Sequence, residues 1–316
     1  MNLSIIVPCY NVEKYVEKCI ISLENQNIPK EDYEILAYND ESTDGTLSIL
    51  ERLEQEYPNI KVASHKNKGL SGTRNRGIRE AQGDFIWFVD SDDWITENSI
   101  NNIMDSVKES TDIVAFSGFI PEGNRSVGAR IFGNEVTDKK TLFTHSFADG
   151  APFYIYRRDF LVKNNLFFKE GIKHEDTLFT PVVLNEANNI IFYRTPVYHY
   201  LLRAGSITTV VDIKRIYDLR DNMAFLNEYS KGISDLDIKK GFLNHMAHHI
   251  TEMLNYGIDN GKEGEELIIQ IMKEHPEYWM IMKNAIDLKP KALYWAVRLS
   301  PFPFITTYKF LSKFKR

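Results

Sequence analysis

Residues 85–93 have the sequence FIWFVDSDD, in which five consecutive apolar residues come directly before three aspartates within four positions. A short run that is apolar throughout is typical of a strand that is covered on both faces, as in the parallel sheets of α/β proteins. Ligands of such sheets bind beyond the carboxyl ends of the strands. The stretch therefore predicts a buried strand with a polar site at its end.

The chain on either side of this stretch alternates between strand and helix patterns over residues 1–117. Predicted strands cover residues 3–8, 33–38, 60–64, 85–89 and 112–117, and predicted helices cover residues 12–26, 45–56, 71–81 and 97–108. Because strand–helix–strand connections within one sheet are right-handed, this order predicts an α/β fold with a Rossmann-like, mostly parallel sheet flanked by helices.

The pattern changes after Gly118, where an irregular, glycine-containing stretch begins. From residue 213 onward the apolar spacing is mostly helical. We expect a main domain over residues 1–208 and a mainly helical C-terminal region over residues 209–316.

The composition excludes several classes of protein. The 316 residues are 43% hydrophobic and 26% charged, which is ordinary for a globular protein, and a net charge of −6 argues against a general nucleic-acid binder. The first residues lead straight into a predicted strand and no run of 18 apolar residues occurs, so we expect neither a secretion signal nor a membrane-spanning helix. Cys9 and Cys19 fall in predicted buried elements, and we expect them to be reduced thiols of a cytoplasmic protein.

Polar side chains follow the predicted strands at the point where each strand ends. They are Pro8, Tyr10 and Asn11 after the first strand, Asp40 after the second, and Asp90, Ser91, Asp92 and Asp93 after the fourth. Because neighbouring strands are only ~5 Å apart, these side chains should share a crevice in which so many carboxylates are costly unless a cation binds. Oxygen ligands without clustered histidine or cysteine favour Mg²⁺ or Mn²⁺ over zinc.

Absent motifs narrow the ligand of this crevice. The first turn lacks G-x-G-x-x-G, and the chain has no G-x-x-x-x-G-K-[ST] loop, which argues against a dinucleotide or a P-loop nucleotide. Carboxylates, a divalent ion and a phosphorylated ligand together suggest a nucleoside diphosphate donor. On spacing alone, plainer interpretations stay open, since residues 42–45 also suit a turn and Asp93 also suits a helix cap.

Five ordered motifs within residues 1–208 resemble those of glycosyltransferase family 2, which has the GT-A fold. They are SIIVPCYN at 4–11, NDESTDGT at 39–46, NKGLSGTRNRG at 67–77, GDFIWFVDSDDW at 83–94 and HEDTLF at 174–179. The resemblance implies a metal-dependent, inverting transfer of a sugar from a nucleotide-diphosphate donor, typically a UDP-sugar, to an acceptor hydroxyl. Bacterial members of this type assemble capsule, exopolysaccharide or lipopolysaccharide.

The resemblance also implies roles on the donor side. Asp40 would accept a hydrogen bond from the donor's base, with Pro8, Tyr10 and Asn11 lining the nucleotide pocket. Asp90, Ser91 and Asp92 match the D-x-D motif, in which one carboxylate meets the ribose and the other holds the metal, with Asp93 as an adjacent reserve ligand. Arg74 would face the donor phosphate or sugar; the alternative is a surface ion pair. The segment Asn39-Asp40-Glu41 departs from the family's usual Asp-Asp-Gly, so the turn is expected to differ.

Asp176 matches the catalytic base of the family, and Glu175 would orient the loop or contact the acceptor. An acceptor hydroxyl that attacks the anomeric carbon must lose a proton, so a carboxylate has to lie within ~3 Å of it. The alternative is that both are carboxylates favoured at the start of a helix.

Residues 197–207 resemble the segment that closes over the donor in bacterial members. His199 would supply a third metal ligand, and Arg203 would contact the diphosphate; the alternative for His199 is a structural role. His245 and His249 lie four residues apart without an H-E-x-x-H glutamate, so we expect them to be packing or surface residues.

Residues 289–316 contain seven bases and no acids, interleaved with aromatic residues. Such a segment suits a peripheral contact with the inner face of the plasma membrane and a lipid-linked glycan acceptor. It equally suits a helix that docks on the body or on another subunit of a homo-oligomer. Two other functions stay open, a non-catalytic sugar-nucleotide-binding protein and a nucleotidyltransferase, although the latter would ordinarily have a basic, glycine-rich first loop.

Overall fold

A computed structural model describes residues 2–122, 125–129, 135–145, 147–202 and 212–312. The chain divides into two compact units. The first comprises Met1–Asp138, Phe147–Gly171 and Phe179–Arg203, and the second comprises Lys139–Ser146, Ile172–Leu178 and Ala204–Arg316. Two short segments that precede residue 208 in the chain thus belong to the second unit.

The first unit contains one sheet with its flanking helices. The strands are β1 (Leu3–Cys9), β2 (Tyr33–Asn39), β3 (Ile60–Ser64), β4 (Phe85–Phe88), β5 (Trp94–Ile95), β6 (Ile113–Glu122), β7 (Arg125–Ala129), β8 (Tyr154–Arg157) and β9 (Ile190–His199). The helices of this unit are α1 (Val16–Glu24), α2 (Thr46–Glu56), α3 (Gly69–Glu80), α4 (Ile100–Met104) and α6 (Arg158–Lys163). Helix α5 (Lys139–His145) belongs to the second unit. Helix α7 (Glu175–Glu186) begins in the second unit and continues into the first.

The strand order is β3-β2-β1-β4-β8-β6-β9-β5, and β7 pairs with β6. The pairs β1–β2, β2–β3 and β1–β4 are parallel, as predicted, and the pair β6–β9 is parallel too. The sheet is nevertheless mixed, because β8 inserts antiparallel between β4 and β6 and the β6–β7 and β5–β9 pairs are also antiparallel. The parallel part of the sheet, β1 to β4, is therefore the part at whose edge the polar crevice is predicted.

Helices cover both faces of the sheet next to β1. Alternate residues of β1, among them Ile5 and Val7, share an apolar cluster with Ile20 of α1 and Leu50 of α2. Since successive side chains of a strand point to opposite faces, Ile6 points away from this cluster. It packs against α3 so closely that a Cβ at Gly77 would lie 2.6 Å from it. This glycine brings α3, which carries Arg74, directly onto β1.

One predicted helix is much shorter than its apolar spacing suggests. The pattern predicts a helix over residues 97–108, whereas α4 covers only Ile100–Met104. Its start is fixed by Gln26, whose side-chain oxygen accepts hydrogen bonds from the backbone N–H groups of Ser99 (2.8 Å) and Ile100 (3.1 Å). Asn98 lies just before in the left-handed region, with φ of 55°, so the helix does not extend further toward the N-terminus.

The second unit is helical, as predicted for the C-terminal region. After α5 and the start of α7 it contains α8 (Lys214–Lys231), α9 (Leu236–Asp259), α10 (Gly261–Glu274), α11 (Glu277–Lys283), α12 (Leu288–Leu299) and α13 (Phe304–Ser312). Asp235 caps α9 by accepting hydrogen bonds from the N–H groups of Asp237 and Ile238. None of the helices among the described residues is both long and apolar enough to cross a bilayer.

Candidate functional site

The carboxyl ends of β1, β2 and β4 meet at one edge of the sheet. Cys9 of β1 lies in register with Asn39 of β2, and the N–H of Asp40 donates to the Cys9 carbonyl at 2.9 Å. On the other side of β1, the N–H of Val89 donates to the carbonyl of Ile6 at 3.0 Å. Asp40 and the aspartates that follow Val89 therefore leave the sheet on either side of β1.

The loop after β1 is tied to the loop after β2. Asn11 has a φ of 52°, and its side-chain oxygen accepts a hydrogen bond of 2.8 Å from the N–H of Thr43. Its own N–H donates to the hydroxyl of Ser42 at 3.1 Å. Pro8 is buried within β1, whereas Tyr10 is 51% exposed. Asn11 thus fixes the loop, and Tyr10 leaves an aromatic side chain open at the sheet edge.

Asp40 holds the loop that precedes α3. It is 4% exposed, and its two carboxylate oxygens accept hydrogen bonds from the N–H groups of Lys68 (2.7 Å) and Gly69 (2.9 Å). Nδ1 of His65 lies 3.6 Å from the same carboxylate. A carboxylate oxygen has two lone pairs, so these bonds leave capacity for a further donor such as a nucleobase N–H. The predicted contact with a base stays a prediction.

Glu41 occupies the position where the family usually has glycine. Its φ is 65°, in the left-handed region that glycine adopts readily and other residues adopt at a cost. Its carboxylate accepts a hydrogen bond from the N–H of Asn67 at 3.1 Å. The turn therefore keeps the backbone conformation suited to glycine even though the glycine has been replaced.

Arg74 forms a buried ion pair, not the surface pair considered from the sequence. Its side chain is 1% exposed, and Nη2 donates to a carboxylate oxygen of Asp90 at 2.8 Å. The guanidinium carbon lies 5.2 Å from the centre of the Phe168 ring. Asp90 itself is 29% exposed. Arg74 thus places a positive charge directly behind the aspartate that opens the D-x-D motif, and its contact with a donor stays a prediction.

Asp93 is bound on both carboxylate oxygens. The hydroxyl of Tyr198 donates to one at 2.5 Å, and the N–H of Leu201 donates to the other at 2.7 Å. Burial raises the pKa of Asp93 to about 8, and the negative charges of Asp90 and Asp92 add to the effect. Asp93 therefore anchors the chain that follows β9, in addition to its predicted role as a reserve ligand.

The aspartate cluster has the ligand chemistry of a divalent-cation site, although among the described residues no three of its carboxylates and His199 lie within 4.8 Å of one another. Asp90, Asp92 and Asp93 offer only oxygen ligands, which Mg²⁺ and Mn²⁺ prefer. Burial raises the pKa of the Cys19 thiol, and the charges of Asp93, Asp92 and Asp90 add to this effect, so the three carboxylates act on one region. Arg74 offsets the charge of Asp90, and the raised pKa of Asp93 indicates that further negative charge is costly here, a cost that a bound cation would reduce.

The two cysteines are buried free thiols, as expected from the sequence. Burial raises the pKa of Cys9 to about 12 in spite of a hydrogen bond with Ser91. Ser91 is 5% exposed, and its hydrogen bond with Cys9 ties it to the end of β1.

His199 lies between two aromatic rings. It stacks on Trp94 at 5.3 Å and on Phe119 at 4.4 Å between ring centres, and its Nε2 lies 3.0 Å from the hydroxyl of Thr96. Burial, followed by the positive charge of Lys18, lowers the pKa of His199. The neutral ring is the form that binds metals, and the role of His199 as a metal ligand stays a prediction. Arg203 lies outside the described residues.

Glu175 and Asp176 form the first turn of α7, in the second unit, where Glu175 is buried and Asp176 half-buried. The helix start is held by side chains of α8 and α9. Asp218 accepts from the N–H of Lys173 at 2.8 Å, Asn222 donates to the carbonyl of His174 at 3.0 Å, and His245 Nε2 lies 3.1 Å from the carbonyl of Thr177.

Sequence reasoning missed Asp218 and Asn222. Both are buried on α8, at 7% and 0% exposure, among apolar residues at helical spacing. Polar residues at core positions of an amphipathic helix are the signal that could have identified them, because buried polar groups need partners.

The chain is similar to known glycosyltransferases. The chain is 33% identical to the poly(ribitol-phosphate) beta-glucosyltransferase of Bacillus spizizenii over 64% of this chain and 32% of that protein. It is 31% identical to the uncharacterized glycosyltransferase EpsJ of Bacillus subtilis over 72% of this chain and 70% of that protein. The chain thus spans about a third of the length of the first relative and most of the second.

A solved structure shows the fold. Staphylococcus aureus TarS 1-349 in complex with UDP-GlcNAc matches with a TM-score of 0.77 at 23% identity, covering 100% of this chain and 92% of that one. The predicted GT-A type of fold, with a helical C-terminal extension, is confirmed. The model of the family described as "Glycosyl transferase family 2" matches residues 4–164, which contain the loops around Asp40, Arg74 and the aspartate cluster. The chain belongs to glycosyl transferase family 2.

Proposed function

We propose that the protein transfers a sugar from a nucleotide-diphosphate donor, a UDP-sugar, to an acceptor hydroxyl with inversion at the anomeric carbon. The observation that carries the proposal is the placement of Asp40 and the aspartate cluster on either side of β1, at the carboxyl edge of a parallel sheet. This edge is where α/β sheets bind nucleotides. The complex of TarS with UDP-GlcNAc supports the choice of donor.

The donor would lie across this edge. The exposed ring of Tyr10 offers a surface for the base, and Asp40 has lone pairs left for a base N–H. Asp90, held by Arg74 from behind, would meet the ribose or the metal. Such preorganised partners lower the cost of ordering the donor.

Asp92, with Asp90, would hold Mn²⁺ or Mg²⁺, and Asp93 and His199 are the further candidate ligands. When bound, the cation supplies positive charge that offsets the charge on the departing diphosphate. The buried ion pair of Arg74 with Asp90 keeps one carboxylate of the set fixed in place.

Asp176 would accept the proton of the attacking acceptor hydroxyl, and Glu175 would orient the loop. The acceptor oxygen then forms a bond to the anomeric carbon as the bond to the diphosphate breaks, so no covalent intermediate with the enzyme is needed. The start of a helix favours a negative charge, which suits a carboxylate base.

We further propose that the acceptor is a glycan or a lipid-linked glycan of the bacterial cell envelope and that the protein acts in the cytoplasm. The relatives that act on poly(ribitol-phosphate) support a cell-envelope acceptor. Buried, unpaired thiols suit a reducing compartment. We also propose that copies of the chain contact one another in a homo-oligomer.

A panel of nucleotide sugars tests the function. We expect slow release of UDP from one UDP-sugar in the presence of Mn²⁺, accelerated by a suitable acceptor and abolished by chelation. Tight nucleotide binding in calorimetry without release from any donor would instead identify a binding protein. Release of pyrophosphate from a nucleoside triphosphate and a sugar phosphate would identify a nucleotidyltransferase.

A further inference from the structure

Helix α12 carries an exposed apolar stripe. Leu288, Trp295 and Leu299 are 81%, 46% and 76% exposed, and Ala292 between them is also exposed. Spacings of four, seven and eleven residues place these side chains on one face of the helix. Leu293 is buried on another face, so α12 packs on its own unit and leaves the stripe open.

Three bases border this stripe. On the helix surface Lys291 and Arg298 lie on one side of it and Lys289 lies on the other. None of the three forms an ion pair with another described residue, whereas Lys309 of α13 is paired with Glu265 at 2.6 Å. The face of α12 therefore combines exposed apolar area with three bases, of which Lys291 also interacts electrostatically with Asp287.

Exposed aromatic side chains also occur in the residues that follow α12. Phe302, in the turn after the helix, is 64% exposed, and Phe310 of α13 is 62% exposed. Nζ of Lys283 lies 5.8 Å from the centre of the Trp295 ring. An exposed tryptophan beside basic side chains is suited to a membrane–water interface, where its ring lies partly in the apolar layer.

The charges decide between two possible occupants of this face. A second copy bound through a two-fold axis would place the same patch against itself, so that bases would face bases. An anionic lipid surface attracts the bases and accepts the apolar stripe among its acyl chains.

We propose that helix α12 lies in the plane of an anionic membrane surface. Leu288, Trp295 and Leu299 enter the boundary between headgroups and acyl chains. Lys289, Lys291 and Arg298 contact the lipid phosphates. The helix is a peripheral anchor that would bring the protein to a lipid-linked acceptor.

Vesicle flotation tests the electrostatic part. We expect the full chain to float with phosphatidylcholine vesicles that contain about a third phosphatidylglycerol and to float far less with pure phosphatidylcholine. The triple variant K289Q/K291Q/R298Q should bind on the order of 100-fold more weakly, since each base contributes roughly fivefold near an anionic surface. The matched control K231Q/K240Q/K262Q removes three exposed bases of other helices and should bind like the wild type.

A second set of variants tests the apolar part. The variant W295S/L299S should bind at least about tenfold more weakly, because apolar burial holds interfacial helices in place. The control F225S/L236S removes exposed apolar residues of α8 and α9, which are 51% and 71% exposed, and should bind normally. In the wild type, brominated lipids should quench part of the tryptophan fluorescence, and W295F should remove that part.

Several outcomes would overturn the proposal. One is absence of flotation of the wild type on anionic vesicles, and another is unchanged flotation of both the base variant and the apolar variant. A dimer in sedimentation velocity that W295S/L299S dissociates, without lipid binding, would assign the face to a second copy instead. The assay contains neither nucleotide sugar nor acceptor, so its result is independent of the proposed transfer reaction.

Discussion

The side-chain amide of Asn222 donates a hydrogen bond of 3.0 Å to the carbonyl of His174, the residue directly before Glu175 and Asp176. Asn222 is fully buried in α8, and His174 has a φ of 60°, in the left-handed region. One turn earlier on α8, Asp218 accepts from the N–H of Lys173 at 2.8 Å. Helix α8 therefore holds the start of α7, and with it Asp176, in one conformation.

Replacing Asn222 with alanine should lower kcat of the proposed transfer by roughly 10-fold to 100-fold, because a misplaced base loses its alignment with the acceptor hydroxyl. KM for the donor should stay unchanged, since the donor loops are untouched. Steady-state kinetics with the donor identified in the panel measure both constants. Asn227→Ala, a half-exposed asparagine of the same helix, is the matched control. Equal loss in both variants would argue against a role in positioning.

Replacing Asp176 with asparagine removes the proposed base without changing its size. We expect the transfer rate to fall by about 10²- to 10⁴-fold, the usual contribution of general base catalysis. Calorimetry should show that UDP still binds as tightly as to the wild type. Glu186→Gln, at the opposite end of α7, controls for charge removal from the same helix. Full activity of the Asp176 variant would refute the assignment.

The buried pair of Arg74 with Asp90 should be strongly coupled. Asp90→Asn leaves the buried Arg74 guanidinium without this carboxylate and should cost about 3–5 kcal/mol of unfolding free energy, as found when buried pairs are broken. Arg74→Met should cost less, because the Asp90 carboxylate that remains is 29% exposed to solvent. Urea unfolding of both single variants and the double variant gives the coupling energy, expected at roughly 1–3 kcal/mol. A double variant whose loss equals the sum of the single losses would show that the pair is not coupled.

Glu41 should be less stable than glycine at its position, because a side chain in the left-handed region costs roughly 1–2 kcal/mol. The informative comparison is Glu41→Gly with Glu41→Ala, since both lose the hydrogen bond to the N–H of Asn67 and only alanine keeps the strained Cβ. We expect the glycine variant to unfold at higher urea concentration than the alanine variant. The opposite order would mean that the turn relaxes when the side chain is shortened.

The sequence predicted the parallel half of the fold because its signals are local. Each of β1, β2 and β3 is a short strand followed by a helix, β4 is a short apolar run, and right-handed connections then leave little choice of arrangement. Strand β8 could not be placed in this way, because Phe85 pairs with Arg157 across a long stretch of chain. The short α4 also depended on a distant residue, Gln26, which caps its start.

The same limit applies to the candidate site. Asp40 and the cluster from Asp90 to Asp93 could be located because polar residues after parallel strands gather at one edge. The sequence offered no way to see that Asp40 also holds the loop before α3 or that Asp93 binds Tyr198. Tertiary packing determines which residues contact Asp40 and Asp93. A sequence motif specifies residue types and spacing only, so it does not predict these contacts.

Acidic pH should protonate the buried carboxylate of Glu34 in β2 and so remove a stabilising negative charge. The buried carboxylate of Glu34 accepts hydrogen bonds from Ser4 Oγ (2.7 Å), the N–H of Gln82 (2.8 Å) and Lys61 Nζ (2.8 Å). Burial alone would raise its pKa, but these bonds outweigh burial and lower the pKa of Glu34 below its ordinary value of 4.5. A carboxyl group with a lower pKa in the folded state contributes stability that is complete above its ordinary pKa and is lost as the pH falls below it.

The variant Glu34→Gln should therefore be less stable than the wild type by about 1–3 kcal/mol at neutral pH, as expected when a buried charged hydrogen bond is lost. This difference should shrink as the pH falls below 4.5, because the wild type loses the same charge there. Urea unfolding of both proteins from neutral to acidic pH measures the difference directly. Glu56→Gln, which neutralises an exposed glutamate of α2, should give a small difference at every pH. A Glu34 difference that stayed constant down to the acid transition would show that packing, not charge, makes this residue stabilising.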